Sequence, residues 1–390
     1  MGCDALPHIR AIAPYVPGKP IAELAREFGL DEADIVKLAS NENPLGISPK
    51  AKLAVAAALD DLALYPDGNG FALKQALSAR LGVGADQIVL GNGSNDVLEL
   101  AARVFLAPGR SAVFAEHAFA VYPLAIAACN ATPIQVPARD FGHDLLAMRA
   151  AIREDTAMVF IANPNNPTGT LLSNAEIADF LATVPARVIV VLDEAYIEFL
   201  DAPSDALVWL AQYPNLIVTR TFSKAYGLAG LRVGYALASA EVADLINRLR
   251  QPFNVNSLAL AAAEAALDDA DFLTQSKRVN DEGRAQLLAG FKKYAEPPVG
   301  AGLRAYPGVN WATTGGCPYD LDAIPSAGNF VCVKVGSTAE AAQAVYQALL
   351  RRGVIVRPVA NYGLAGYLRV SIGLPHQNAR FLAALGEVLP

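Results

Sequence analysis

Short runs of apolar, β-rich residues alternate along the chain with longer Ala- and Leu-rich stretches that are typical of helices. Most of the short runs are apolar throughout, as expected of strands that are buried on both faces of a parallel sheet. We expect strands at residues 87–90, 111–115, 132–136, 157–162, 188–192 and 216–219, and helices at 95–105, 174–183 and 258–267. The alternation predicts an α/β fold with a parallel sheet.

The composition of the chain changes after about residue 291. Residues 295–320 contain nine glycines and prolines and follow neither the helical nor the strand period, so they are predicted to form a long loop. A β-rich run at 329–335, a helical stretch at 343–351 and a strand-like run at 367–373 follow. We therefore expect a large domain at 46–290 and a small α/β domain at 291–390, which the N-terminal residues 1–45 join.

Charge and cysteine usage narrow the classes of protein and partner. The 390 residues carry a net charge of −7 and no block of five or six basic residues, so neither nucleic acid nor an anionic membrane is an expected partner. No stretch reaches the roughly 18 consecutive apolar residues of a membrane span, and residues 1–10 lack the apolar core of a secretion signal. The four cysteines lie far apart and the four histidines form no metal-binding motif. We expect a cytoplasmic protein without disulfides or a bound metal.

Polar side chains follow four of the predicted strands. The segments after these strands read GNGSND, NPNNPTG, DEAY and RTFSKAYGLAGLRVG. Because ligands of open parallel sheets lie beyond the carboxyl ends of the strands, the four segments are expected to meet in one crevice.

The first of these segments has the composition of a phosphate-binding turn. Gly91, Gly93 and Ser94 stand between a strand and a helix, where glycine lets the backbone approach a ligand and the helix N-terminus offers free N–H groups. The pattern is not a dinucleotide fingerprint, because Asp96 stands where a third glycine is required. An ordinary tight turn between strand and helix is the alternative interpretation.

Three charged residues each have a structural and a functional interpretation. Asp193 ends an apolar run, so its carboxylate needs a positive partner, either Arg220 or Arg232 or the cation of a ligand. Lys224 either lies on the surface or is desolvated, and a desolvated amine is a nucleophile toward carbonyl groups. Arg232 lies amid apolar residues, which indicates a buried anion, either a phosphate or a carboxylate.

Together these residue types meet the needs of one cofactor, pyridoxal 5′-phosphate (PLP). A lysine can form its Schiff base, an aspartate can pair with its ring nitrogen, and a helix N-terminus with serine and arginine can anchor its phosphate. An asparagine and a tyrosine after the neighbouring strands can contact its phenolate oxygen. The residues therefore predict a PLP-dependent protein.

The spacing of Asn166, Asp193, Tyr196, Lys224 and Arg232, with SKAYGLAGLRVG, resembles fold-type-I PLP-dependent aminotransferases. Further motifs are similar to those of histidinol-phosphate aminotransferases and extend over nearly the whole chain: APYVPG, NENP, LYPDG, GNGSNDVLEL, FAVYPLA, NPNNPTG, VIVRPVANYGL and YLRVSIG. The resemblance implies a large domain with a mixed, mostly parallel sheet flanked by helices, and a smaller α/β domain built from both chain ends. It also implies a homodimer with shared active sites.

The resemblance assigns roles to the matching positions. It makes Lys224, Asp193 and Tyr196 the expected catalytic residues: Lys224 holds the cofactor and moves the proton of the substrate Cα, Asp193 keeps the ring nitrogen protonated, and Tyr196 contacts the ring oxygen. Phe119 is expected to stack on the ring, although its sequence context is equally that of a plain core residue. The full set expected to bind the cofactor is Gly93, Ser94, Asn95, Phe119, Asn166, Asp193, Tyr196, Ser223, Lys224, Arg232 and the partner subunit's Tyr65.

By the same resemblance, Tyr15, Asn43, Arg357 and Arg369 bind the substrates. The implied reaction converts L-histidinol phosphate and 2-oxoglutarate into imidazole acetol phosphate and L-glutamate, a step of histidine biosynthesis. One pocket must then accept both a phosphate and carboxylates, a task that suits guanidinium groups. Aminotransfer from aromatic amino acids and decarboxylation of threonine phosphate are the alternatives within the same machinery, and Arg357 as a solvated arginine is the structural alternative.

A PLP-sensing regulator of transcription is the non-enzymatic alternative. Such proteins carry an N-terminal basic DNA-binding domain, whereas fewer than 45 residues precede NENP in this chain, without a basic helix-turn-helix pattern. The sequence therefore favours the enzyme.

The loop at 295–320 departs from the family pattern, in which a short connection joins the preceding helix to the small domain. It is expected to be either a surface insertion or a cover over the active site.

Overall fold

A computed structural model describes residues 4–15, 17–202, 204–295 and 321–389 of the chain. The strands in this part of the chain are β1 (Val36–Lys37), β2 (Ile88–Gly91), β3 (Ser111–Ala115), β4 (Thr132–Val136), β5 (Thr156–Ala162), β6 (Ile189–Asp193), β7 (Leu216–Thr221), β8 (Gly234–Leu237), β9 (Ala323–Ile324), β10 (Phe330–Lys334), β11 (Val354–Ile355), β12 (Arg357–Pro358) and β13 (Tyr367–Ser371). The α-helices are α1 (Pro7–Arg10), α2 (Ile21–Phe28), α3 (Pro49–Ala57), α4 (Phe71–Leu81), α5 (Ser94–Phe105), α6 (Val121–Ala128), α7 (Leu145–Ala150), α8 (Asn174–Thr183), α9 (Ala206–Gln212), α10 (Ala240–Asn247), α11 (Ser257–Leu267), α12 (Ala270–Ala295), α13 (Ala339–Arg351) and α14 (Pro375–Val388).

The large sheet has seven strands in the order β2-β8-β7-β6-β5-β3-β4. The strands from β7 to β4 run parallel to one another, whereas β8 pairs antiparallel with both β2 and β7. This confirms the expected α/β fold with a mixed, mostly parallel sheet. The sequence pattern did not reveal β8, because its four residues begin with a glycine and directly follow a loop that carries polar and charged residues.

Six strands of this sheet, β2, β3, β5, β6, β7 and β8, are buried at every residue. Side chains such as Leu77 and Trp209 pack on one face, and Leu98 and Ile246 pack on the other. The uniformly apolar runs are therefore explained by helices on both sides of the sheet. Strand β4 lies at the sheet edge, where Thr132 is exposed.

The six predicted strands and the three helices predicted in the large domain agree with the observed bounds to within two residues. Local chemistry determines where the helices begin. Ser173 accepts a hydrogen bond from the backbone N–H of Glu176, and the Glu176 side chain accepts one from the backbone N–H of Ser173, so a capping box begins α8. Helix α5 begins at Ser94 after Gly93, whose φ is +79°.

The C-terminal strands form a second, antiparallel sheet in the order β12-β13-β10-β9. Helices α12 and α14 meet beside it through the edge-to-face contact of Phe291 and Phe381. The N-terminal segment packs here as well, since β1 pairs with β11 and Leu38 joins the same core cluster.

The loop predicted at 295–320 lies outside the described residues, except that Ala295 is the last residue of α12. Within the described ranges, no helix combines the length and the apolar character that crossing a membrane requires. The same part of the chain holds no group of three or more His, Cys, Asp and Glu side chains arranged for a metal ion.

Candidate active site

A cavity of about 250 Å³ lies at the carboxyl ends of the parallel strands. Segments that follow β5, β6 and β7, the first turn of α5, the N-terminal segment and strands β12 and β13 of the second sheet all contribute to its wall. Twelve of the fifteen predicted site residues line it: Tyr15, Ser94, Asn95, Phe119, Asn166, Asp193, Tyr196, Ser223, Lys224, Arg232, Arg357 and Arg369. Residues far apart in sequence are thereby brought around one space.

Lys224 follows β7 and carries its amine into this cavity. The Nζ atom donates a hydrogen bond to the carbonyl oxygen of Ser40 at 3.3 Å. Burial, with the positive charge of Arg369 adding to it, lowers the pKa of Lys224 to about 8. The amine is therefore partly unprotonated near neutral pH, as a nucleophile or a general base must be.

Asp193 is the last residue of β6 and is buried. The Tyr122 hydroxyl donates to its Oδ2 at 2.7 Å, and the Thr219 hydroxyl donates to its Oδ1 at 2.9 Å. Burial raises the pKa of Asp193, because a desolvated carboxylate is less stable than one in water. Asp193 thus offers a cavity-lining negative charge to a cationic group.

The alternative in which Arg220 neutralises Asp193 is excluded, since Arg220 pairs with Glu194 instead. The Arg220 guanidinium lies 2.7 Å from Glu194 Oε2, and both side chains are buried. Asp193 and Glu194 are adjacent in an extended segment, so their side chains point in opposite directions. The ion pair stabilises the far side of the strand and leaves Asp193 to the cavity.

Tyr196 and Asn166 belong to a polar network that crosses from the large sheet to the second, four-stranded sheet. Arg369 donates through Nη1 to Asn166 Oδ1 at 2.6 Å and through Nη2 to the carbonyl oxygen of Ala39 at 2.8 Å. The Tyr196 hydroxyl accepts a hydrogen bond from Asn41 Nδ2 at 3.0 Å. Burial raises the pKa of Tyr196 to about 12, so its hydroxyl stays protonated and can donate to a ligand oxygen.

The other end of the cavity has the features of an anion site. Ser94 and Asn95 form the first turn of α5, where backbone N–H groups are free of intrahelical partners. Arg232 Nη1 lies 3.4 Å from Ser223 Oγ, which accepts its hydrogen bond. Gly93 has a φ of +79°, which side chains rarely adopt, and a Cβ atom there would lie 2.4 Å from Arg232 Nη2, so glycine at this position favours the close approach of the guanidinium to the turn.

The remaining three predicted residues do not line the cavity. Gly93 shapes the turn from behind, and Tyr65 is 83% exposed, with its ring stacked on Phe253 at a centroid distance of 4.8 Å. Asn43 lies outside the cavity wall, and its Nδ2 donates to the Ala225 carbonyl oxygen and to Ser276 Oγ, each at 2.8 Å. Those bonds hold the NENP segment against the large domain.

Sequence reasoning missed the other residues of the cavity wall, among them the polar Asn41, Tyr122, Thr221 and Tyr362. Asn41 belongs to the same NENP motif as Asn43, so the motif identified the segment but not which asparagine faces inward. The FAVYPLA motif likewise contains both Phe119 and Tyr122. The fold places Asn41 but not Asn43 in the cavity wall, and it places both Phe119 and Tyr122 there.

A comparison with protein families defines the class. The model of the family described as "Aminotransferase class I and II" matches residues 33–385. The chain therefore belongs to the class I and II aminotransferases.

Comparisons with individual proteins narrow the family further. The chain is 60% identical to histidinol-phosphate aminotransferase 1 of Thiobacillus denitrificans, over 100% of this chain and 96% of that protein. It is 59% identical to histidinol-phosphate aminotransferase 2 of Pseudomonas aeruginosa, over 99% of this chain and 97% of that protein. Identity of this extent over whole chains shows that the protein belongs to the histidinol-phosphate aminotransferase family.

Comparisons with solved structures lead to the same family and the same fold. The crystal structure of histidinol-phosphate aminotransferase from Sinorhizobium meliloti in complex with pyridoxal-5′-phosphate matches with a TM-score of 0.86 and 29% identity, over 100% of this chain and 98% of that chain. A Thermus thermophilus aspartate aminotransferase variant, at 19% identity and a TM-score of 0.81 over the whole of both chains, shares the fold.

Proposed function

We propose that this protein is a PLP-dependent aminotransferase that converts L-histidinol phosphate and 2-oxoglutarate into imidazole acetol phosphate and L-glutamate in histidine biosynthesis. The observation that carries the proposal is one cavity that unites a lysine amine of lowered pKa, a buried carboxylate and an anion site. The relatives that share 56 to 60% of its residues along their length are named for this activity.

The residues of the cavity fit PLP. Asp193 is a buried carboxylate that accepts hydrogen bonds from two neutral hydroxyl groups. A cation such as a protonated ring nitrogen would therefore stabilise its negative charge. Ser94, Ser223 and Arg232 would hold the phosphate, and Asn166 and Tyr196 would hold the ring oxygen. When bound, PLP supplies an electron-withdrawing ring that stabilises negative charge at the substrate Cα.

The chain supplies positioning and proton transfer around that ring. Lys224 Nζ, unprotonated above about pH 8, would take the proton from the substrate Cα. Phe119 forms part of the wall, where it would stack on a flat ring. Walls from both domains surround this space, and fixed dipoles act more strongly where water is excluded.

Two arginines of the small domain would receive the phosphate or carboxylate of the substrates. The Arg369 guanidinium is buried and oriented by Asn166 and Ala39. The Arg357 guanidinium lies 5.4 Å from the ring centroid of Tyr15, with which it makes a cation–π contact. Tyr15 and Arg357 therefore lie together in the cavity wall, where both could contact the anionic group of a substrate.

Turnover of three candidate substrates tests the proposal. Histidinol phosphate should be the preferred amino donor over phenylalanine and threonine phosphate, with glutamate formed from 2-oxoglutarate. Release of carbon dioxide from threonine phosphate, or preference for phenylalanine, would instead support one of the two alternatives. Absence of turnover with all three would refute the assignment as an aminotransferase of this class.

We expect the capture of PLP by the cofactor-free protein to accelerate as the pH rises toward 8. Burial lowers the pKa of Lys224 to about 8, so each pH unit below that value reduces the free-amine fraction about tenfold. Stopped-flow absorbance between pH 6 and 9 measures the rate. It should level off above pH 8; a rate that is flat from pH 6 to 8 would contradict the assignment of this amine.

We expect Arg357→Gln to raise the KM for histidinol phosphate and for 2-oxoglutarate by about tenfold, with a small change in kcat. The guanidinium is half-buried, so the loss is smaller than for a fully buried ion pair. Arg351→Gln, an exposed neighbour in the same domain, is the matched control and should leave both constants unchanged. Equal effects of the two substitutions would indicate that Arg357 is a solvated surface residue that does not bind the substrates.

We also propose that the protein is a homodimer with shared active sites. Large apolar side chains are exposed on the segment from α3 to α4 and on the loop before α11: Leu53, Leu59, Leu62, Leu64, Tyr65, Phe71 and Phe253. A patch of this kind is typical of a protein interface. Sedimentation should give twice the chain mass of 41.0 kDa, and the dimer would bring the partner subunit's Tyr65 to the phosphate.

A further inference from the structure

The carboxylate of Asp193 accepts hydrogen bonds from two hydroxyl groups that belong to different secondary-structure elements. Tyr122, in the first turn of α6, donates to Oδ2 at 2.7 Å, and Thr219, on β7, donates to Oδ1 at 2.9 Å. The backbone N–H of Ala195 is a third donor. Neither the sequence motifs nor the class of the protein assigns a role to Tyr122.

Tyr122 can only be a donor in this bond. Its side chain is fully buried, and burial together with the charge of Asp193 raises the pKa of Tyr122 well above its ordinary value. The phenol therefore keeps its proton, and an O–H···O⁻ bond of this length is charge-assisted. It stabilises the ionised form of Asp193 and has no comparable effect on the protonated form.

This bond acts against the cost of burial. Burial raises the pKa of Asp193, while the Tyr122 and Thr219 hydroxyls and the Ala195 N–H each act to lower it. The buried guanidinium of Arg220 is occupied by Glu194. The ionised state of Asp193 before a ligand enters thus depends on neutral donors.

We propose that Tyr122 is a positioning residue that keeps Asp193 ionised and aims its carboxylate at the ring nitrogen of the cofactor. The inference rests on the proposed function, specifically on PLP as the ligand. Tyr122 acts through Asp193, and its hydroxyl should therefore matter only for ligands that carry a basic ring nitrogen.

The surroundings of Tyr122 allow its hydroxyl to be removed without moving its ring. The ring stacks on Phe160 at a centroid distance of 4.9 Å and an angle of 14°. Phe119 meets it edge-on at 5.9 Å. These contacts involve only the ring, so Tyr122→Phe preserves the packing that supports Phe119 in the cavity wall.

The test compares two ligands of the cofactor-free, full-length protein. One is PLP and the other is 1-deazapyridoxal 5′-phosphate, in which C–H replaces the ring nitrogen. Tyr122→Phe should weaken PLP binding about tenfold and leave the affinity for the deaza compound unchanged. Tyr235→Phe removes the hydroxyl of another buried tyrosine of the large domain, outside the cavity wall, and should change neither affinity.

Each outcome has one interpretation. Equal weakening of both ligands, or no change for PLP, would overturn the role proposed for Tyr122. If Tyr122→Phe fails to fold, Thr219→Val removes the other hydroxyl and must show the same selectivity between the two ligands. Failure of the unsubstituted protein to bind PLP would instead refute the proposed cofactor. This result is distinct from unchanged PLP binding by the Tyr122→Phe variant, which would refute only the role of Tyr122.

Discussion

Lys224→Ala should abolish transamination, with a fall in kcat of at least about 10²–10⁴-fold, the usual contribution of a positioned general acid–base. The substitution removes the cavity's only candidate for a free amine among the described lining residues. Alanine leaves space beside Ser40 and Tyr196 where the amine stood. Added methylamine, which fits that space, should restore part of the proton transfer in a concentration-dependent manner.

Lys292→Ala is the matched control, because Lys292 is an exposed lysine on α12. It should retain the kcat of the unsubstituted protein. Borohydride reduction followed by peptide mapping provides an independent check: the pyridoxyl label should be found on Lys224. A label on another lysine, or residual activity of Lys224→Ala above a few per cent, would contradict the proposed role of this amine.

Asp193→Asn should lower kcat by about 10³-fold. A unit charge pair at about 4 Å is worth about 4 kcal/mol at an effective dielectric constant near 20, which corresponds to that factor. The amide preserves the shape of the side chain and can bond to Tyr122 and Thr219 after their hydroxyls rotate. The measurement is single-turnover kinetics with histidinol phosphate.

The same substitution should not destabilise the cofactor-free protein. Because burial raises the pKa of Asp193 above its unfolded value, the folded state binds more protons between those two values and stability falls as the pH rises through that window. At neutral pH the charge therefore costs stability, and the neutral amide removes this cost. Asp201→Asn, on an exposed loop, is the control for kcat. A lower Tm together with an unchanged kcat for Asp193→Asn would contradict both parts of the argument.

The strands of the large sheet could be predicted because burial on both faces requires uninterrupted apolar runs, as in β5 and β6. Strand β8 could not, because its pairing with β2 and β7 depends on contacts distant in sequence. Helix starts were predictable to the extent that capping is local, as at Ser173. The resemblance to a known family supplied the mixed character of the sheet.

The candidate site was predictable wherever a reactive side chain directly follows a strand, as for Asp193 and Lys224. Sequence alone could not distinguish two similar side chains of one motif. Both asparagines of NENP are polar and near the site, but the left-handed φ of +55° at Asn41 turns its side chain inward, and Asn43 turns toward Ser276. Tyr122 escaped notice because its role is visible only as a contact with Asp193 across 71 residues.

The network around Arg369 has a consequence for biosynthesis of the chain itself. Arg369 bonds to Asn166, 203 residues earlier, and to Ala39, 330 residues earlier. A ribosome that has completed the seven-stranded sheet has still not made the residue that joins these two segments, and contacts of such long range form late in folding. Nascent and prematurely terminated chains that stop before Arg369 will thus lack a finished catalytic centre, and the cell gains activity only from polypeptides translated beyond this residue.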